Sequence, residues 1–123
     1  MSAVVRRHFS IFMAQPYLDQ LRELVSAIDG SQSLVCKHFF SGAALYVERN
    51  ICASLTPKGL AFKLPSSRCD DLFRQGKAIP LKYFDRSPIK RGYILLPDFQ
   101  VLSDTDIFSY LEECISYATS ADA

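Results

Sequence analysis

The sequence predicts an α+β domain in which a mainly antiparallel sheet carries its helices on one face. Helical periodicity is confined to the beginning, the middle and the end of the chain, and short alternating apolar runs fill the intervals. The length of 123 residues fits one domain with one core. The expected order is helix, three strands, helix, two strands, helix.

The first helix is predicted from Pro16 to Asp29. Apolar residues recur at helical spacing between Leu18 and Ile28, and Gly30 can end the run. Residues 1–15 are expected to form a flexible arm, and residues 16–120 a single domain.

The next stretch, from Phe39 to Pro65, is predicted to form a three-stranded meander. A three-residue loop, Glu48 to Asn50, is expected after the first strand because it would place Val47 opposite Ile51 and Leu45 opposite Ala53. Facing residues of an antiparallel pair lie on the same side of the sheet, so this register keeps apolar residues together.

The second turn of the meander is predicted at Lys58-Gly59, which would pair Leu55 with Phe62. Ser41-Gly42 is expected to form a bulge inside the first strand, since glycine relieves backbone crowding there.

This register divides the meander into two faces. The helix-facing side chains would be Leu45, Val47, Ile51, Ala53, Leu55, Phe62 and Leu64. The outward-facing ones would be Tyr46, Cys52, Ser54, Ala61 and Lys63, a mixture suited to receiving a partner or a second copy.

A short helix is expected after the meander. Ser66 or Ser67 can cap it, Leu72 and Phe73 lie on it, and Gly76 ends it.

Two strands and a final helix complete the prediction. The strands are expected at Ile79 to Phe84 and Tyr93 to Leu96, joined by the polar loop DRSPIKRG. Ser103 begins a capping sequence, and the stripe from Ile107 to Ala118 indicates a helix.

Several markers together point to a known family. They are Phe40-Ser41-Gly42 followed by Leu45-Tyr46, then Ala53-Ser54-Leu55, Leu60-Ala61-Phe62-Lys63, and Tyr83 with the run Tyr93 to Pro97. In these markers the chain resembles the TfoX (Sxy) amino-terminal domain family, small bacterial domains named after a regulator of natural competence. The resemblance implies a secretion-chaperone-like fold, a role like that of a competence or transcription regulator, and no established catalytic residues. Since the sequence lacks the carboxy-terminal TfoX domain, we expect a stand-alone amino-terminal domain.

The composition argues against several function classes. A net charge of +1 gives no overall electrostatic footprint for nucleic acid or a membrane surface. The four cysteines are widely spread and lack C-x-x-C spacing. A domain with an adequate apolar core has little need of disulfides, so we expect reduced thiols in a cytoplasmic protein. No stretch is apolar for the roughly twenty residues that a membrane span needs.

Cys36 and His38 form the one pair that resembles a nucleophile or metal signature, because residues two apart on a strand share a face. Cys52 is the nearest further ligand, whereas a catalytic zinc site needs about three protein ligands. We therefore expect no metal and no cofactor at this pair.

A basic cluster surrounds the Pro88 loop and is the candidate for nucleic-acid binding, with neighbouring aromatic residues available for stacking. It consists of Lys82, Arg86, Lys90 and Arg91.

These observations favour a non-catalytic interaction or regulatory module that binds a protein partner or a second copy through the outer sheet face. Nucleic-acid binding by the basic cluster is the alternative, and a thiol- or metal-dependent enzyme at Cys36 and His38 is the least favoured one. The residues expected to bind the partner are Phe40, Gly42, Tyr46, Cys52, Ala61 and Lys63.

Overall fold

The computed structural model describes residues 14–28 and 33–120. Most of the expected arm, together with Asp29 and Gly30, lies outside these residues. The helices are α1 (Ala14–Ser26), α2 (Ser66–Arg74) and α3 (Asp104–Ala118), with a 3-10 turn at Phe99–Val101. The strands are β1 (Leu34–Phe39), β2 (Gly42–Val47), β3 (Asn50–Thr56), β4 (Gly59–Lys63), β5 (Ile79–Leu81) and β6 (Lys90–Leu96).

The α+β class and the order of helices and strand groups are confirmed. All six strands form one antiparallel sheet with the order β1-β2-β3-β4-β6-β5. The first group contains one strand more than expected, because the chain reverses at Phe40 and Ser41 and pairs Phe39 with Gly42. The bulge prediction at Ser41-Gly42 was therefore wrong.

Gly42 is required where β2 begins because it lies against the backbone of β3. A Cβ atom on Gly42 would come within 2.1 Å of the Leu55 carbonyl oxygen and 2.8 Å of the Thr56 Cα. No side chain fits there, so this glycine permits the close approach of the two strands.

The β2–β3 connection differs from the expected three-residue loop. Glu48 and Arg49 form a two-residue turn that places Val47 opposite Asn50, and a shift of register follows immediately. Both turn residues have positive φ, as hairpin turns that match the twist of the strands require.

The register shift places two residues of β3, Ile51 and Cys52, in the space opposite one residue of β2. Leu45 pairs with Ala53 as predicted, whereas Tyr46 pairs with Ile51. Cys52 consequently packs in the core with the helices, and Ile51 packs on the outer side. The predicted faces of these two residues were wrong, because a bulge reverses the alternation of side chains.

The β3–β4 turn consists of Pro57 and Lys58, so Leu55 pairs with Leu60 instead of Phe62. The predicted turn was one position too late. Leu55 still faces the helices, because positions 60 and 62 share a face of the strand.

The helices pack on one face of the sheet, as predicted. α1 packs on β1, β2 and β3, α3 on β3 and β4, and α2 on β5 and β6. The main core lies between these layers, and its largest fully buried side chains include Leu21, Leu45, Phe62 and Leu111. A second, smaller cluster on the other face contains no residue of a described helix.

The helix ends were predicted with mixed success. Ser103 caps α3 as expected, since its hydroxyl oxygen accepts a hydrogen bond of 3.1 Å from the Asp106 amide. Ser66 and Ser67 lie inside α2, and Pro65 precedes it without a side-chain cap. The predicted serine cap of α2 was therefore wrong.

The sequence after β5 leaves the sheet and lies across its outer face. β5 ends at Leu81, three residues before the predicted end, and β6 begins at Lys90. We call residues 82–89 the crossing segment. Its Asp85 accepts a 2.7 Å hydrogen bond from the Lys58 ammonium at the β3–β4 turn, at the opposite end of the sheet from Lys90. The outer face is therefore partly covered by its own chain.

Candidate functional site

A cleft of about 490 Å³ lies on the outer face beside the crossing segment. Among the residues that the structure describes, it is lined by five aromatic residues, three cationic residues, an amide and an aliphatic side chain, with no carboxylate. We call it the aromatic–basic cleft. Its residues are Phe39, Phe40, Tyr46, Arg49, Asn50, Ile51, Lys63, Tyr83, Lys90 and Tyr93.

Aromatic contacts join the β1–β2 turn to the crossing segment and form one wall of the cleft. The Tyr83 ring lies 5.4 Å from that of Phe39 and 5.2 Å from that of Phe40, and the Phe84 ring lies 5.6 Å from that of Phe40. These distances are typical of favourable edge-on and tilted pairs. Phe40 nevertheless remains 62% exposed, so most of its ring is available to a ligand.

Tyr83 also fixes the crossing segment to the sheet beneath it. A hydrogen bond joins the hydroxyl groups of Tyr83 and Ser54, whose oxygens are 3.3 Å apart. Burial raises the pKa of the Tyr83 phenol, and the hydrogen bond with Ser54 opposes that rise. Ser54 faces outward as predicted, but it is buried under this segment.

Strained backbone is concentrated at the turns around the cleft. Among the described residues, three residues other than glycine have positive φ: Phe40 at 52°, Glu48 at 49° and Arg49 at 76°. Phe40 and Arg49 line the cleft, and Glu48 adjoins Arg49. A left-handed conformation costs such a residue about 1–2 kcal/mol, which glycine would avoid.

A second hollow, of about 700 Å³, continues from the cleft toward β1. The two depressions share Tyr46 and Arg49, and the hollow adds Lys37 and one carboxylate, Glu48. The Lys37 ammonium lies 5.5 Å from the centre of the Tyr46 ring, within the range of a cation–π contact. Positive charge therefore extends from the cleft onto the edge strand.

Three of the six residues expected to bind a partner lie in the cleft. Phe40, Tyr46 and Lys63 line it. Ala61 faces outward, but it is buried between Leu81 and Tyr93 in the second cluster. Gly42 is buried at the contact between β2 and β3, and Cys52 lies in the main core. The expected open surface is thus replaced by a cleft that extends from the β1–β2 turn to the β2–β3 turn.

The predicted basic cluster is divided. Lys90 lines the cleft. Lys82, Arg86 and Arg91 are exposed outside the cleft lining. The ammonium of Lys58, assisted by the charge of Lys82, holds the pKa of Asp85 below its usual value.

Cys36 and His38 lie on the same side of β1, opposite Leu45 and Ala43, as the strand spacing predicted. Cys36 is half-buried beside the main core, and His38 is exposed. Burial raises the pKa of the Cys36 thiol, although the charge of Arg22 opposes this rise, and a raised pKa disfavours the reactive thiolate. Within residues 14–28 and 33–120, no group of three or more His, Cys, Asp or Glu side chains is placed to hold a metal ion.

The thiols of Cys52 and Cys114 lie together in the core, between β3 and α3. Both are fully buried, and burial together with hydrogen bonding to Cys52 raises the pKa of the Cys114 thiol. These thiols fill space between the sheet and the helix, as buried free cysteines commonly do.

Sequence reasoning assigned no ligand-binding role to several residues of the cleft, including Arg49 and Asn50, and it considered Tyr83 only as a stacking partner beside the basic cluster. The adjacent aromatic residues Tyr83 and Phe84 were placed in a strand. Two consecutive rings followed by a polar, proline-containing loop could instead have suggested a segment folded onto an apolar surface.

In comparisons with known proteins, no family model and no curated protein matches this sequence. The resemblance to the TfoX amino-terminal domain therefore remains a prediction from the motifs. Among the described residues, no helix combines the length and apolar character needed to cross a membrane.

Proposed function

We propose that this protein is a non-catalytic interaction module that binds an anionic partner in the aromatic–basic cleft. The main support for this proposal is the position of the residues whose backbone is strained. Phe40 and Arg49 have positive φ and both present large side chains to the cleft. Strain of this kind is often found where a side chain has a role in binding.

The charge of the cleft supports an anionic partner. Arg49, Lys63 and Lys90 line it, and no carboxylate in the described part of the chain lines it to neutralise them. Charge-assisted hydrogen bonds from such groups to carboxylate or phosphate are stronger than bonds between neutral groups.

The shape of the outer face supports a protruding or extended partner segment. Ala61 is 1% exposed, and the crossing segment occupies the region where a flat sheet or a second copy would have to stack. A protein partner or a second copy would therefore present a loop, a tail or a strand that enters the cleft.

The lack of catalytic activity in this proposal is supported by the lining. Within residues 14–28 and 33–120, no histidine, cysteine, aspartate or glutamate lines the cleft, and these side chains supply most acid–base and nucleophilic catalysis. The Cys36 thiol, with its raised pKa, lies on the helix-facing side of β1. A regulatory role like that of the TfoX domains, in the cytoplasm, is the biological context that we propose on the resemblance.

The proposal is tested by comparing what three immobilised proteins retain from a lysate of the source cells. They are the wild type, Arg49→Glu, and Lys77→Glu as a charge-matched control on an exposed residue outside the cleft lining. Circular dichroism first establishes that all three are folded. We expect the wild type and the control to retain the same protein or nucleic-acid component, and Arg49→Glu to lose it. Equal retention by all three proteins would show that the cleft is not the binding site.

A further inference from the structure

The cations of the outer face form a row that crosses the strands. Lys37 lies on β1, Arg49 at the β2–β3 turn, Lys63 at the end of β4 and Lys90 at the start of β6. All four line the cleft or the adjoining hollow. From β1 to β6 there are four strand-to-strand steps of about 4.8 Å, or roughly 19 Å across the strands. The register places Lys37 level with Leu95, five residues from Lys90 along β6, so the row runs obliquely.

Aromatic rings lie beside this row. Phe40 is largely exposed and Tyr46 is half-exposed between Lys37 and Arg49, and both rings line the cleft. Asn50, which lines the cleft, has an amide that can both donate and accept hydrogen bonds. The surface thus combines cations from several strands with rings that are open to stacking.

Building on the proposed function, we propose that the partner is a single-stranded nucleic acid that runs across the strands. Its phosphates contact the row of cations, and its bases stack on Phe40 and Tyr46. An acidic peptide would use the cations but would leave the exposed rings without a matching group, whereas a single strand offers a charged backbone and a flat base at every repeat. A duplex hides the faces of its bases, so it matches the rings less well.

Binding of a single strand by this row of cations would weaken as the salt concentration rises. For a single strand, the logarithm of the affinity falls by about 0.7 per phosphate contact for each tenfold increase in salt. Four contacts therefore predict that affinity falls about 50-fold between about 50 and 200 mM salt.

The test measures fluorescence anisotropy of a labelled oligothymidylate of about 12 nucleotides. Replacing one cation, in Lys63→Gln or Arg49→Gln, is expected to weaken binding and to reduce the salt dependence by about one contact. Phe40→Ala is expected to weaken binding about 5- to 100-fold, because it removes a stacking surface but no charge, and so leaves the salt dependence unchanged.

Two control variants separate these effects from changes elsewhere on the surface. Lys77→Gln removes an exposed cation and Val101→Ala trims an exposed apolar residue, both outside the cleft lining. Both are expected to bind the oligonucleotide as the wild type does.

The alternative partners give distinct outcomes. A decaglutamate peptide that binds in an Arg49-dependent manner while the oligonucleotide does not would overturn this inference and leave the proposed function standing. A duplex of equal length that binds as tightly as the single strand would overturn the role of stacking. If neither probe binds and lysate capture is insensitive to Arg49→Glu, both proposals fail.

Discussion

Substituting alanine for Gly42 tests whether this residue is structural, as its position indicates, or part of the binding surface. The added Cβ atom would lie 2.1 Å from the Leu55 carbonyl oxygen and 3.0 Å from the Leu55 carbonyl carbon. Both atoms belong to the backbone of β3, so no side chain can rotate to make room. The strands must separate instead, and this would disturb the pairing that β2 makes with β1 and β3.

The expected cost follows from this geometry. Overpacking by one methyl group typically costs about 1–3 kcal/mol, and a clash with backbone in the centre of a sheet belongs at the upper end. We therefore expect Gly42→Ala to lower the free energy of unfolding by about 3 kcal/mol. This is a large part of the 5–15 kcal/mol that stabilises a typical domain.

Gly92→Ala is the matched control. Gly92 has a φ of 83°, and no atom lies within 4 Å of an added Cβ, so its substitution carries the left-handed backbone cost of about 1–2 kcal/mol without a clash. Equilibrium urea unfolding, followed by far-ultraviolet circular dichroism because the chain has no tryptophan, measures both variants. If Gly42→Ala is no less stable than Gly92→Ala, the close approach of β2 and β3 is not what requires glycine.

Three further predictions concern the turn, the tyrosines and the thiols. Arg49→Gly is expected to be about 1 kcal/mol more stable than Arg49→Ala in urea unfolding, because glycine avoids the cost of positive φ; equal stability would contradict strain at this turn. Burial raises the pKa values of Tyr83 and Tyr93 in the folded protein, so the unfolded state loses its phenolic protons first as the pH rises. Stability is therefore expected to be constant only to about pH 8, because the Cys36 and Cys114 thiols also have raised pKa values in the fold and ionise first in the unfolded state. Above about pH 10 the tyrosines are expected to make stability fall more steeply, and a Tyr83→Phe variant whose loss there equals that of the wild type would argue against the role of this phenol. Of the four thiols, Cys36 is half-exposed and the other three are buried. One thiol is therefore expected to react with a disulfide reagent in the native protein, and four in guanidinium. Two fast-reacting thiols in the native protein would show that one of the other three is not buried.

The helices were the parts of the fold best predicted from sequence, because their signals are local. The spacing from Leu18 to Ile28 and the cap at Ser103 act within a few residues of chain, and both elements are present. The α2 cap failed because Pro65, with its fixed φ, already sets the direction of entry into the helix.

The first two hairpin turns, after β1 and after β2, were harder to predict, because the residues that form them carry no conventional turn signal. Phe40, Glu48 and Arg49 adopt positive φ, where glycine, asparagine or aspartate would be expected. Pairing and packing of the strands impose these conformations, so the local sequence gives no sign of them. Because the turn at Phe40 and Ser41 was predicted as a bulge, β1 was not predicted as a separate strand. Because the β2–β3 turn was predicted with three residues instead of two, the bulge at Cys52 was not predicted.

The candidate site was predicted in part. Face parity correctly placed Tyr46 and Lys63 on the outer side of the sheet, because alternation holds wherever the strands are regular. The cover over Ala61 depends on contacts between Tyr83 and residues far away in sequence. Periodicity carries no information about such contacts, so it suggested an open face where the molecule has a cleft.

The strand order has a consequence for the growing chain on the ribosome. The pairs β1–β2, β2–β3 and β3–β4 each join strands that follow one another in sequence, so these hairpins can form early during synthesis. β4 must wait for β6 to complete its second side, which leaves it an open edge while residues 64–89 are being added. An open edge invites pairing with other chains, and charged side chains discourage it. Lys63 is the one charged residue of β4, so its charge is expected to discourage pairing with other chains until β6 has been added.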